Sequence, residues 1–247
     1  MNIIDLDYIV YSSHKTATQS VKGILQSNDY NVVHCHTIHQ LNYRQTEANT
    51  YQSFIDSLNN YKLVNNKKIK IISIIRDPKQ RCISSFFQSY HNDEMMFCNK
   101  QNTQTTISTN EIDSLLLIYQ EDIINNTLQG GNESLDEMSK IFNITIIDNL
   151  VYKEKYYYFS NDLFELFVLD FKQVATNNNI NYLNECLNLN LIPKTNFYTN
   201  LSRSKPYYNK YTIMKNKIPH SVNNILVKRY NNFYFTAFST IIPPPIT

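Results

Sequence analysis

Short apolar runs rich in β-branched and aromatic residues recur along the chain, each followed by a longer stretch with apolar positions at helical spacing. The runs Asp7–Tyr11, Asn31–Cys35, Ile69–Ile75 and Phe164–Asp170 predict strands, with a weaker one at Ile144–Ile147. Apolar residues three and four apart predict helices over Thr18–Gln26, Ala48–Leu63, Lys79–Tyr90, Asn110–Asn125 and Ser134–Phe142. This alternation predicts an α/β protein with a mostly parallel sheet. The segment "CNKQNTQTTISTN", Cys98 to Asn110, is polar and aperiodic and reads as a loop. Beyond Pro193 the pattern turns helical and tyrosine-bearing, and "IIPPPIT" reads as a short extended tail.

Composition changes this picture in only a few places. The 247 residues suit one domain with a sizeable core, or a core domain with a small helical addition, and a formal charge of +2 gives no general polyanion signature. Nucleic acid is therefore not an expected partner, and any anion site must be local. With three glycines in the whole chain, a glycine-rich phosphate loop is excluded. The N-terminal "MNIIDLDYIVY" carries two aspartates, lacks a basic leader region and is too short to span a bilayer. A soluble, cytoplasmic protein without signal peptide or membrane helix is expected. Four cysteines without a CxxC pair point to reduced thiols.

The candidate chemistry begins in "YSSHKTATQSV", Tyr11 to Val21. A strand running through this turn into a helix aims the helix's unbonded N–H groups and positive dipole end at the turn, where an anion can sit. Thr16, Thr18 and Ser20 add hydroxyls and Lys15 adds a full charge. The order differs from G-x-x-x-x-G-K-[ST], because Lys15 precedes the small and hydroxyl residues and no glycine lies in the turn. The plainer alternative is a hydroxyl-capped helix beside a solvated lysine.

Two further stretches add to it. After the third strand comes "RDPKQRCISSFF", with Arg76 at the strand's carboxyl end, Pro78 opening a helix and Ser84 two turns on. A guanidinium fork with a hydroxyl suits a terminal phosphate at the carboxyl ends of parallel strands. The alternatives are an Arg76–Asp77 ion pair closing the turn and an ordinary helix-surface serine. In "VVHCHTIH", strand alternation puts His34 and His36 on one face and Cys35 on the other, so a single-metal site from these three is awkward and none is expected. The histidines are then either a satisfied core pair or a general base at the crevice.

Taken together, these stretches resemble sulfotransferases that use 3′-phosphoadenosine 5′-phosphosulfate (PAPS). "HKTATQSV" resembles the P-K-T-A-S-T-S-F loop of the uronyl 2-O-sulfotransferases. "HCHTIHQLNY" resembles their H-x-H-x-x-x-L-x-[FY] segment, and "IISIIRDPKQRCISSFFQ" their I-R-D-P-x-x-R-x-x-S-[YF] segment. The last also resembles the sulfotransferase-like putative capsular polysaccharide synthesis proteins of bacteria. The match covers roughly residues 6 to 91.

The resemblance implies a P-loop-like three-layer sandwich with a helical C-terminal part, residues 1–91 forming the nucleotide-binding core and 92–247 the acceptor-side and closing elements of one domain. It implies that Lys15, Thr16, Ala17, Thr18, Gln19 and Ser20 hold the 5′-phosphosulfate, that Arg76 and Ser84 hold the 3′-phosphate, and that His36 is the base with His34 beside it. Gln19 departs from the small or hydroxyl residue usual at its position. "NLSRSKPYYNKY" resembles the loop closing over the nucleotide, which makes Ser202, Arg203 and Lys205 candidate ligands. The expected reaction is sulfuryl transfer from PAPS to a hydroxyl, of a carbohydrate or polysaccharide, with Lys15 neutralising the leaving oxygen and no metal. The alternatives are a non-catalytic nucleotide- or glycan-binding protein and a P-loop-like phosphotransferase. The latter needs a Walker loop and a magnesium carboxylate that the sequence does not display.

Overall fold

The computed structural model describes residues 3–14, 16–41, 47–97, 109–125, 134–176, 178–193 and 208–238. In chain order the elements are β1 (Tyr8–Tyr11), α1 (Thr18–Ser27), β2 (Val32–Cys35), α2 (Glu47–Asn65), β3 (Ile69–Ile75), α3 (Pro78–Phe97), α4 (Thr109–Asn125), α5 (Ser134–Phe142), β4 (Val151–Lys153), β5 (Tyr156–Ser160), β6 (Phe164–Asp170), α6 (Phe171–Val174), α7 (Asn179–Leu187), α8 (Tyr208–Lys217), α9 (His220–Arg229) and α10 (Phe233–Thr236). Short 3-10 turns lie at Ile38–Leu41 and Ile147–Asn149. The chain divides into two compact units, Met1–Ile75 with Asn132–Thr199, and Arg76–Gly131 with Asn200–Thr247.

The first unit holds a mixed six-stranded sheet in the order β2-β1-β3-β6-β5-β4. β2, β1, β3 and β6 run parallel; β5 and β4 continue the sheet antiparallel. The parallel strands read as nearly unbroken apolar runs because helices bury both of their faces. On one face Tyr8, Val10, Ile72, Ile74, Phe167 and Leu169 form a cluster with Val21, Ile24 and Leu25 of α1 and with Leu183, Cys186 and Leu187 of α7. The spacing of Val21, Ile24 and Leu25 is the one that aligns side chains along a helix face, which is why α1 was readable. On the other face the Tyr11 hydroxyl donates to Glu137 of α5, and the hydroxyls of Ser73 and Ser134 lie 2.8 Å apart. Phe142 of α5 packs against Phe164 and against Phe54 of α2, with ring centroids 4.8 and 6.3 Å apart.

One expectation fails here, and one pair of strands goes unpredicted, for local reasons. Ile144–Ile147 is not a strand: Asn143 takes a left-handed backbone (φ 50°) at the end of α5. The N–H groups of Ile144 and Ile146 then turn back to Ser139, onto its carbonyl (3.1 Å) and its hydroxyl (3.1 Å). The neighbouring β4–β5 hairpin was not foreseen. Its tyrosines stand at 152, 156, 157 and 158 among lysines and a glutamate, without the strict alternation that marks a half-buried strand. The hairpin turns at Glu154, itself left-handed at φ 59°.

In the second unit Asp77 begins α3: its carboxylate accepts from the Lys79 N–H at 2.8 Å, and Pro78 follows at the position where a missing N–H costs nothing. Aromatic contacts join the helices, Phe86 to Tyr119 at 5.3 Å and Phe87 to Tyr211 at 6.0 Å. Arg229 of α9 donates to the Ile123 carbonyl of α4 at 2.8 Å, and Lys210 of α8 pairs with Glu111 of α4. The described part of the C-terminal region is thus helical, and the expected loop's residues 98–108 lie outside the described residues. Among the described residues, no helix is long and apolar enough to cross a membrane.

Candidate functional site

The loop after β1 is organised around buried hydroxyls. Ser12 Oγ donates to the Ile74 carbonyl (2.7 Å), accepts from the Ile74 N–H (3.0 Å), and lies 2.9 Å from Thr16 Oγ1. Thr16 in turn donates to the Ser13 carbonyl at 2.6 Å, so its one hydroxyl hydrogen is spent inside the loop. Ser13 Oγ accepts from the Ser134 N–H at the start of α5 (3.3 Å). Ala17 follows with φ 62° and ψ 25°. A left-handed conformation costs a residue with a Cβ about 1–2 kcal/mol, so the surrounding contacts hold it there. Ala17 occupies the N-cap position of α1 and has no side-chain acceptor with which to cap it. The Ser20 N–H donates to the Ala17 carbonyl at 3.1 Å, and the helix start lies next to the loop. Thr18 is buried, Ser20 partly buried and Gln19 exposed.

Three imidazoles gather beside this loop. Cys35 is fully buried, whereas His34 and His36 are partly exposed with rings 5.1 Å apart, as alternation along β2 requires. His36 Nδ1 lies 2.7 Å from the Ser12 carbonyl oxygen. A carbonyl only accepts, so Nδ1 carries the hydrogen and the neutral ring has its lone pair on Nε2. The His36 backbone N–H donates to Gln40 Oε1 at 2.6 Å. The exposed His14 ring lies over His36, centroids 3.8 Å apart and tilted by 35°. His34 meets the Gln19 amide, 3.2 Å from Nε2 and 3.4 Å from Nδ1. Among the described residues no group of three or more His, Cys, Asp or Glu is arranged to hold a metal ion.

Burial lowers the His34 pKa, and the neighbouring His36 and Lys22 lower it further. The folded ring thus binds its proton less readily than the unfolded one. This contribution leaves stability unaffected above the ordinary histidine pKa and erodes it as pH falls from there toward the folded value. Urea midpoints measured at pH 7.5 and 5.5 should fall less in His34→Gln than in the wild type. Equal falls in both would assign the acid sensitivity elsewhere.

Of the other residues singled out from the sequence, Arg76 is the first after β3, and Ser84 lies partly buried on α3. Burial lowers the Arg76 pKa, while a hydrogen bond with Tyr211 and the charge of Asp77 favour its cation. Lys15, Ser202, Arg203 and Lys205 lie outside the described residues. The structure brings Thr16, Ala17, Thr18, Gln19, Ser20, His34 and His36 into one neighbourhood of the first unit. It adds Ser12, His14 and Gln40, which the sequence reading had passed over. Ser12 and His14 stood in the quoted stretch, but their partners Ile74 and His36 lie 62 and 22 positions away. The buried carboxylate of Glu137, which accepts from Tyr11, was equally silent, its partner being 126 positions distant.

No family model, curated protein or solved structure matches the chain. Fold and site together define an α/β protein with a mixed sheet, a helix that starts at an alanine N-cap after its first strand and a histidine group beside it.

Proposed function

We propose that this protein is a PAPS-dependent sulfotransferase of P-loop-like fold, acting on a hydroxyl of a carbohydrate or polysaccharide. The observation that carries this is the tautomer of His36: a partly exposed imidazole whose Nδ1–H is bonded to the Ser12 carbonyl of the first loop, which leaves Nε2 as the unprotonated nitrogen of the neutral ring. Bound PAPS supplies an activated sulfuryl group, which leaves behind 3′,5′-adenosine bisphosphate.

The first loop fits an anion through its backbone. Ala17 at the N-cap of α1 brings no side-chain acceptor and Ser20 is partly exposed, whereas the Thr16 hydroxyl is already engaged. Lys15 supplies the full charge on the leaving oxygen, and Arg76 with Ser84 takes the 3′-phosphate. Ser202, Arg203 and Lys205 close over the nucleotide. These roles rest on the sequence resemblance. His36 Nε2 takes the proton of the acceptor hydroxyl as its oxygen bonds to sulfur, with the entering and leaving oxygens in line. His34, made less basic by its surroundings, stays neutral beside it and orients the pair.

Thermal unfolding with 3′,5′-adenosine bisphosphate, and separately with ATP and Mg²⁺, tests this proposal. At 100 times Kd the bisphosphate should stabilise the fold by about 2.7 kcal/mol, while ATP should do little. Equal shifts with both ligands, or none with the bisphosphate, would count against a sulfotransferase.

A further inference from the structure

β1 and β3 pair only as far as Val10 opposite Ile72, whereas β1 stays with β2 through Tyr11 opposite Cys35. The Ser12 N–H prolongs that second ladder, donating to the Cys35 carbonyl at 3.2 Å. At Ser12 the chain has therefore parted from β3 while remaining on β2. The serine side chain fills the opening: its oxygen makes both the donor and the acceptor contact with Ile74 that a backbone rung would have made. The same oxygen touches Thr16 of the loop. One fully buried residue is thus held from β2 and from β3 at once, with Thr16 of the loop packed against its oxygen. Its carbonyl, fixed by these two anchors, is the acceptor for His36 Nδ1.

We propose that Ser12 is a positioning residue, whose hydroxyl anchors its own carbonyl so that His36 is held as the Nδ1–H tautomer with Nε2 basic. Which imidazole nitrogen bears the proton is set by the bond the other nitrogen can make. Without the hydroxyl, Ile74 loses its partner, the carbonyl of residue 12 shifts, and both tautomers become accessible. His14 and His34 face the same ring but remain in every Ser12 variant, so they do not mask the effect. The task given to His36 rests on the sulfotransferase proposal, but its tautomer does not.

The test is the long-range ¹⁵N–¹H spectrum of the full-length protein, with the His36 signals identified by their loss in His36→Asn. The wild type should show a single neutral form protonated at Nδ1; protonation at Nε2 overturns the proposal outright. Ser12→Ala should show a mixture of tautomers, and Ser12→Thr, which keeps the hydroxyl, should restore the single form. Transfer from labelled PAPS to a panel of glycans should fall about 10–100-fold in Ser12→Ala, the range seen when partners that orient metal-bound histidines are removed. Bisphosphate affinity should hold within about twofold. A Ser12→Ala protein with the wild-type tautomer and full turnover makes Ser12 merely structural and ends the proposal. If Ser12→Ala does not fold, Ser12→Cys, whose sulfur bonds weakly, takes its place with the same expectations. Absent bisphosphate binding alongside the expected spectra would remove the sulfotransferase assignment and leave Ser12's hold on His36 standing.

Discussion

His36→Ala is expected to lower sulfate transfer from PAPS by about 10²–10⁴-fold while leaving the affinity for 3′,5′-adenosine bisphosphate close to that of the wild type. The size of the loss follows from removing the proposed general base, and the retained affinity from where the imidazole sits. His36 bonds to the loop through the Ser12 carbonyl, whereas the N–H groups proposed to meet the anion belong to α1. An effect on kcat without one on nucleotide affinity is the signature of a group used in the transition state. His34→Ala should cost less, because His34 meets Gln19 rather than Ser12. Transfer to a panel of glycans, measured beside bisphosphate titrations for both variants, separates the outcomes. Near-full activity in His36→Ala would return the pair to a structural role.

Phe164→Ala should destabilise the first unit by about 3–5 kcal/mol, the cost of emptying a buried aromatic site. Phe164 opens β6 with no exposed surface and lies between Phe142 of α5 (4.8 Å) and Phe159 of β5 (5.8 Å). It stands where the parallel part of the sheet meets the antiparallel part, so its ring touches both the α5 layer and the hairpin. Domains are stable by only about 5–15 kcal/mol, so such a loss should be plain in the urea midpoint. Leu63→Ala, at a side chain 83% exposed, serves as the control and should stay within about 0.5 kcal/mol. A loss under about 1 kcal/mol for Phe164→Ala would show that the ring cluster does not hold these layers together.

The parts of the fold that were legible share one property: their burial repeats at short range along the chain. β1, β3 and β6 are covered on both faces and so appear as apolar runs, and α1 shows its buried face in Val21, Ile24 and Leu25. The site was legible where it followed the same rule. Alternation along a strand put His34 and His36 on one face, and Pro78 marked the start of α3. Ile144–Ile147 misled because its burial comes from a turn: Ile146 is fully covered although its N–H bonds to the Ser139 side chain. In the β4–β5 hairpin the strands pair with each other at a sheet edge, and Val151 and Tyr152 remain exposed, so no burial pattern announces them.

By itself the sequence determined the α/β class, the positions of the four parallel strands and the residue types gathered in the first loop. Each of these depends on neighbours within a turn or two of helix, or on alternate positions of one strand. The tertiary structure alone decided the strand order β2-β1-β3-β6-β5-β4, the hydroxyl rung from Ser12 to Ile74, the His14–His36 contact and the nitrogen on which His36 carries its proton. These depend on hydrogen bonds and ring contacts between residues tens of positions apart. A serine or a histidine has the same local pattern whether its partner is water or a buried carbonyl, and only the packed sheet chooses between them.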